Sequence, residues 1–273
     1  MFDPLSLRFV RAALFRGGRK LYQYARREGA NDPGSNGEYR LLGAVLARAG
    51  DAPLTLIDVG AHEGEWTAAA RSGLARHART GEIHAFEPTP LAQRALMRRF
   101  AGEPRVVLRE LALSDRQGTR PLYVAGELAG TNSLEDQGLG AAIDVQVTTL
   151  DEYLRERHIE RVTFLKSDAE GHDLAVLRGG SRALADGRID VWQFEYNGRW
   201  IHARAFLRDV FELLRGAPYV LGKVHRHGVE LFESWHPELE RYFETNFVLL
   251  RQGSAFEDLG RRARFDRSNT PVA

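Results

Sequence analysis

Ile57-Asp-Val-Gly-Ala-His-Glu-Gly64 gathers an acid, two glycines four residues apart and a histidine between an apolar run, Leu54 to Val59, and a helical pattern, Trp66 to His77. A strand ending in Asp58-Val-Gly60, with a helix opening after Gly64, predicts a tight turn at the carboxyl edge of a sheet. There glycines let backbone approach a ligand, and the first N–H groups of the helix are unpaired. The pattern is neither Gly-x-Gly-x-x-Gly nor a phosphate loop closing in Gly-Lys-Ser/Thr, which disfavours a pyrophosphate ligand. A carboxylate beside the turn repels phosphate and can hold a cationic amino group, although capping the turn is the plain structural role for Asp58. Glu87 closes His84-Ala-Phe-Glu-Pro88 at the position where an acid grips ribose hydroxyls in this class of sheet, and Pro88 fixes the chain beyond it.

A ribose-binding acid without phosphate machinery predicts a nucleoside cofactor lacking pyrophosphate, such as S-adenosylmethionine. Downstream, Asp168, Glu170, His172, Glu195 and His202 offer carboxylates and imidazoles that would suit a divalent ion. No tight ligand motif such as His-Glu-x-x-His accompanies them, so no metal is expected.

The elements that must position these groups alternate. Strand-like runs at Leu54 to Val59, Ile83 to Phe86, Arg105 to Leu113, Val162 to Lys166 and Ile189 to Phe194 are interleaved with helical patterns at 66–77, 91–100, 173–184 and 206–214. That alternation predicts an α/β, doubly wound, Rossmann-like parallel sheet covered on both faces. Arg120 to Val124 and Ile143 to Val147 break the alternation as an antiparallel excursion. The loop from Gly126 to Gly140 is expected to cover the acceptor, Thr131, Asn132 and Ser133 offering polar contacts. Tyr219 to Val224, Val229 to Phe232 and Thr245 to Leu250 predict an antiparallel C-terminal end. Gln252 to Ala273 reads as a polar, fraying tail.

The 273 residues divide into a basic helical arm (1–50), a main domain (51–251) and that tail (252–273). Hydrophobic residues at 43% and charged residues at 27% exclude a disordered chain, and the absence of Cys excludes disulfides and thiolate chemistry. A formal charge of +1 is too balanced for a general nucleic-acid binder, so nucleic acid is not expected as a partner. With no apolar run of bilayer length and no signal-like segment, a cytoplasmic protein is expected. Residues 1–28 nevertheless carry seven cations against Asp3 and Glu28. Leu5, Phe9, Val10, Ala13 and Leu14 recur there at helical spacing, predicting an amphipathic helix broken near Gly17-Gly18. Its apolar side would pack on the main domain or on a second subunit, as in a homo-oligomer, or make peripheral contact with an anionic membrane.

Asp58-Val-Gly-Ala-His-Glu-Gly64, Ala85-Phe-Glu-Pro88, Thr149-Leu-Asp-Glu-Tyr153 and Leu165-Lys-Ser-Asp-Ala-Glu-Gly-His-Asp173 resemble, in order and spacing, the FkbM-type family of S-adenosylmethionine-dependent methyltransferases. The resemblance covers about residues 54–251 and is most specific in the Lys-x-Asp-x-Glu-Gly segment. It implies a seven-stranded class I methyltransferase fold and O-methylation of a hydroxyl on a sugar, glycan or natural-product acceptor. By the same analogy Asp58, Gly60 and Gly64 line the methionine end, Glu87 holds ribose, and Ser114-Asp115 lies near adenine. His62, Asp168 and Glu170 complete the candidate cofactor set. His62-Glu63 and Ser167 depart from the family's commoner residues.

Methyl transfer to an alcohol needs alignment and a base for the hydroxyl proton. Asp168 is expected at the cofactor–acceptor junction, with His172 or Glu195 as base. Tyr196, Asn197 and Trp200 are expected to contact the acceptor, aromatic faces packing on a sugar ring. A non-catalytic adapter and an NAD-dependent oxidoreductase are the competing readings, the latter weakened by the missing Gly-x-Gly-x-x-Gly.

Overall fold

The computed structural model describes residues 8–28, 31–124, 130–138 and 141–272; the calls on Asp3, Leu5, Gly126 and Gly140 lie outside them. Helix α1 (Arg8–Arg26) precedes α2 (Glu38–Arg48), and then strands and helices alternate. The series runs β1 (Leu54–Val59), α3 (Glu65–Arg76), β2 (Gly81–Phe86), α4 (Pro90–Arg99) and β3 (Val106–Arg109). After the excursion β4 (Ala112–Leu113), β5 (Gly118–Val124) and β6 (Ala141–Thr148), it resumes with α5 (Leu150–Glu156), β7 (Val162–Ser167), α6 (Asp173–Gly179), α7 (Ser181–Ala185), β8 (Ile189–Tyr196) and α8 (Leu207–Leu213). β9 (Tyr219–His225), β10 (Gly228–Phe232), β11 (Thr245–Arg251), β12 (Gly260–Arg262), β13 (Arg264–Phe265) and β14 (Pro271–Val272) follow.

The main sheet has the order β12-β10-β9-β11-β8-β7-β1-β2-β3. β3, β2, β1, β7 and β8 are mutually parallel, whereas β11 runs antiparallel to both β8 and β9. This is the expected doubly wound class I methyltransferase sheet with an antiparallel C-terminal end. It carries nine strands rather than seven, because β10, hairpinned to β9, and then β12 extend that edge. Strand order reverses between β1 and β7, and the carboxyl ends of these two strands form the crevice where such sheets bind ligands.

Central strands covered on both faces are buried almost throughout, and β1, β7 and β8 are, with apolar residues filling most of both faces. On one face Leu56, Phe164 and Val191 pack under Leu41, Leu42, Val45 and Leu46 of α2 and Trp66 of α3. On the other, Leu165, Trp192 and Phe194 pack under α6, α7 and α8. The first face also holds the exceptions to apolarity: Asp58 lies directly opposite Lys166 in the β1–β7 register, and Lys166 lies opposite Gln193.

Several boundaries differ from the sequence reading. α1 continues through Gly17-Gly18, where two glycines cost roughly 1 kcal/mol each against Ala but carry no proline-like block to the helical hydrogen bonds. The run 105–113 reads as one strand yet changes partner after Arg109: β3 joins the main sheet, and β4 pairs with β6 in the three-stranded excursion. The helical stretch 173–184 divides at Gly179-Gly180. The C-terminal stretch is held rather than frayed, since Phe256 is buried in the α2-side core, β12 pairs with β10, and Phe265 stacks on Phe232 and His236.

Candidate functional site

β1 delivers the turn 60–64 to the switch point. A side chain at Gly60, where φ is +76°, would collide with the backbone carbonyl of Asp168 after β7, so only glycine lets the two strand ends close together. Gly64, with φ of +80°, is the N-cap of α3 and faces Leu96 and Phe100 of α4. It borders neither cavity at the crevice, which corrects its assignment to the cofactor: its constraint is helix packing.

Two cavities meet at this crevice. The first, about 590 Å³, runs from Gly60, His62, Asp168, Ala169 and Glu170 to an apolar end lined by Phe86, Leu111, Leu113, Leu122 and Leu134. Glu87 is held rigidly on its wall, one carboxylate oxygen accepting from His62 N–H at 2.9 Å and the other from Thr89 N–H at 2.8 Å. Each oxygen keeps a further lone pair for a ligand hydroxyl.

The second cavity, about 850 Å³, shares Gly60, His62, Gly130, Asp168 and Glu170 with the first. Its character is opposite. Glu38, Glu63, Glu65, Asp168, Glu170, Glu195 and Glu244 line it with Lys166, Tyr39, Trp66, Thr245 and Asn246. One oxygen each of Asp168, Glu170 and Glu195 lies within 4.8 Å of the others, a spacing able to hold a cation or an ammonium group. Asp168 bridges the cavities: Oδ2 takes a 3.2 Å ion pair from Lys166, while Oδ1 is buried without a hydrogen-bond partner. Glu170 pairs with the Arg199 guanidinium.

Burial sets the protonation of this cluster. It pushes the Glu195 carboxyl well above the usual range, with the Asp168 and Glu170 charges adding to the effect. Burial and the Asp168 charge raise Glu170 to about 8, against the opposing pull of Arg199. Asp173, which accepts from Ala169 N–H at the start of α6, is raised to about 7 by burial and Asp168. Burial alone would lower Lys166, but Asp168, Asp58 and Glu38 outweigh it and hold the ammonium charged.

Asp58 is fully buried one layer below the cavities, accepting from Thr67 Oγ1 at 2.6 Å and lying 3.9 Å from Lys166 Nζ. It supports the floor through Lys166, correcting its placement on the methionine end. His172 borders the first cavity, bonded to Ser114 Oγ at 2.9 Å and Glu135 at 2.6 Å, and does not border the acidic one. Ser114 stands behind it, and Asp115 is a surface partner of Arg120.

Tyr196 and Trp200 are corrected as stacking surfaces, because both are buried in the core on each other and on Phe194 or Phe247. Trp200 Nε1 donates to Glu195 O, and Asn197 donates to Glu195 Oε2 at 2.5 Å, so Trp200 and Asn197 position Glu195 rather than an acceptor. His202 is exposed and apart from the acidic trio. In the 130–138 segment, Asn132 and Leu134 border the first cavity, and Ser133 Oγ pins the segment to Glu170 O at 2.8 Å. Thr131 borders neither cavity.

Sequence reasoning missed Glu38, Tyr39 and the 31–36 turn, which wall the acidic cavity from outside the motifs. No local signal marked Glu38, because it is buried in α2 and accepts at 3.3 Å from Asn246, 208 residues away.

A family model described as the methyltransferase FkbM domain matches residues 58–228. No curated protein matches the sequence. Among solved structures, the chain is similar to methyltransferase FkbM from Methylobacillus flagellatus KT at 15% identity and a TM-score of 0.47, covering 87% of this chain and 60% of that one. This chain thus spans less than two thirds of that protein's length. An rRNA methylase from Streptococcus thermophilus shows 12% identity and a TM-score of 0.40 over 77% of this chain and 93% of its own. The fibrillarin pre-rRNA processing protein of Methanococcus jannaschii shows 14% and 0.39 over 74% and 68%.

Proposed function

The chain belongs to the FkbM methyltransferase family, and from that premise we propose that it transfers a methyl group from S-adenosylmethionine to a hydroxyl oxygen of a sugar, glycan or natural-product acceptor. The residues of the first cavity fit that cofactor. Glu87 offers paired acceptors for ribose hydroxyls, the leucine-rich end suits an adenine ring, and the unpartnered Asp168 Oδ1 stands at the opposite end, where a cationic group belongs. Bound there, the cofactor would supply an electrophilic methyl on a sulfonium.

The protein's own share of the chemistry is orientation and proton removal. Glu195 borders the acidic cavity with its raised carboxyl held by Asn197, so its ionised form is a strong enough base to take an alcohol proton as the oxygen is alkylated. Asp168 joins the two cavities and aligns what each contains. Lys166 keeps Asp168 in position from below.

The acidic lining carries the choice of acceptor. Carboxyl side chains outnumber Lys166 in the described lining, and those that stay ionised would repel a phosphate backbone and favour a neutral or amine-bearing hydroxyl compound over RNA. The test pairs calorimetric titration of S-adenosylmethionine with methyl transfer to three acceptor sets: neutral glycosides, amino-sugar compounds and RNA. Cofactor binding with transfer to either of the first two supports the reading. Preferential labelling of RNA overturns the acceptor class, and failure to bind the cofactor favours the adapter or the oxidoreductase, which titration with NAD separates.

A further inference from the structure

α1 presents a second surface unrelated to the crevice. At 3.6 residues per turn, Val10, Ala13, Leu14, Gly17, Leu21 and Tyr24 fall on one stripe with Phe9 at its edge, and Arg11, Arg16 and Lys20 flank it. The helix holds six cations and no acid. Its attachment uses a different side. Tyr22 donates to Glu238 and meets Phe243 edge-on, Arg19 lies over the Phe243 ring, and Arg26 pairs with Glu28 and Glu238. Lys223, buried in β9, bonds Arg26 O and pairs with Glu28, so the root of the helix is tied to the main sheet by a buried ionic cluster. The apolar stripe therefore faces away from the domain over most of its length: Phe9 and Leu21 are 70% exposed and Leu14 58%, while Tyr24, 71% exposed, ends the stripe at the groove beside the helix root.

An outward apolar stripe bordered by cations, on a helix without a carboxylate, matches the two layers of an anionic bilayer surface. Rings and leucines enter the headgroup boundary while guanidinium groups meet lipid phosphates. Pairing of the stripe with a second copy would bring another six-cation helix against this one, a like-charge contact. We propose that α1 is a peripheral anchor that lays its Phe9–Leu14–Leu21–Tyr24 stripe into anionic phospholipid membranes. No helix among the described residues is long and apolar enough to cross a bilayer, so the anchor lies in the interface. Its root borders a groove that shares Asn36, Glu244, Thr245 and Asn246 with the acidic cavity, which sets the mouth of that cavity beside the membrane.

Flotation of the full chain with vesicles of phosphatidylglycerol and phosphatidylcholine in equal parts, against phosphatidylcholine alone, tests the anchor. Binding is expected on the anionic vesicles only and should weaken as salt is raised. Leu14→Asp with Leu21→Asp should abolish it. Replacing Arg11 and Arg16 by Gln should weaken it about fivefold per cation, the equivalent of about 1 kcal/mol each. Circular dichroism and S-adenosylmethionine titration should be unchanged in both variants, because neither touches the crevice. Absence of binding to anionic vesicles overturns the proposal, as does binding that survives the Asp pair. Concentration-dependent dimers that the Asp pair dissolves would give the stripe to a second copy instead.

Discussion

The two cavities share Gly60, His62, Gly130, Asp168 and Glu170 and differ in the rest of their lining. One is shaped by leucines on the excursion and the β2–β3 side, and the acid it holds alone, Glu87, is clamped by two backbone N–H groups. The other is walled by carboxyls from α2, the turn after β1, α3, the segment after β7, β8 and the residue before β11. A binding site can afford one acid when the ligand offers hydroxyls to it. A cavity that concentrates seven can be relaxed only by protonation, by Lys166 or by a cationic guest, and the first two are already in use in the free protein. The contrast predicts that substitutions on one side will change cofactor binding and substitutions on the other will change turnover.

The largest separation is expected at Glu195. Glu195→Gln removes the base and keeps the volume, so turnover on the true acceptor should fall by about 100- to 10,000-fold, with cofactor affinity by calorimetry kept within about twofold. A loss smaller than about threefold would move proton removal to Asp168. At Glu87 the effect should invert: Glu87→Ala should weaken S-adenosylmethionine binding by about 1.5–3 kcal/mol, the cost of lost bonds to a charged group. Here thermal melting is the control, since His62 and Thr89 N–H lose their partner and some stability goes with it.

How far this contrast could be read beforehand depended on chain locality. Glu87 and Asp168 each follow directly on a parallel strand of the alternation, β2 and β7, so period and strand end were enough to bring them to one edge. Tyr196 and Trp200 misled because aromatics beside Asn197 and Arg199 look solvent-facing in one dimension. Tyr196 is covered by Tyr242 and Phe247, more than forty residues on, and Trp200 packs in turn on Tyr196. Glu38 was invisible for the same reason: its partners Asn246 and the β7 cluster reach it only through the fold. The break in β3–β4 was equally non-local, because the competing edge belongs to β6.

A pH series sharpens the comparison from the stability side. Glu170 and Asp173 are raised to about 8 and about 7. Between their unfolded values near 4 and those folded values the native state holds more protons than the unfolded chain, so stability is lost as pH rises through that window. His84 and His225, lowered to about 4 by burial, act oppositely between 6.5 and 4, losing stability as pH falls. Between about 6.5 and 8 the effect of the two shifted histidines is already complete while that of these carboxyls continues, and there the melting temperature of the ligand-free protein should decline. Asp173→Asn with Glu170→Gln should flatten that decline, whereas an unchanged slope would take these two groups out of the account.

The smallest effect concerns the 130–138 segment, whose side of the boundary the sequence placed wrongly or rightly according to which cavity it serves. Asn132 and Leu134 border the apolar cavity, Gly130 borders both, and Ser133 fixes the segment to the carbonyl of Glu170. The contact to be broken is therefore with the cofactor-side cavity, although an acceptor cover was the expectation from glycines and small polar residues alone. Asn132→Ala should weaken S-adenosylmethionine binding by about 0.5–1.5 kcal/mol, one neutral hydrogen bond, and leave the acceptor KM within about twofold. Ser133→Ala should weaken both ligands slightly, because it frees the segment from the wall the two cavities share. The decisive comparison is the ratio of the two effects in Asn132→Ala: a raised KM with unchanged cofactor affinity would return the segment to the acceptor and erase the boundary drawn at Asp168.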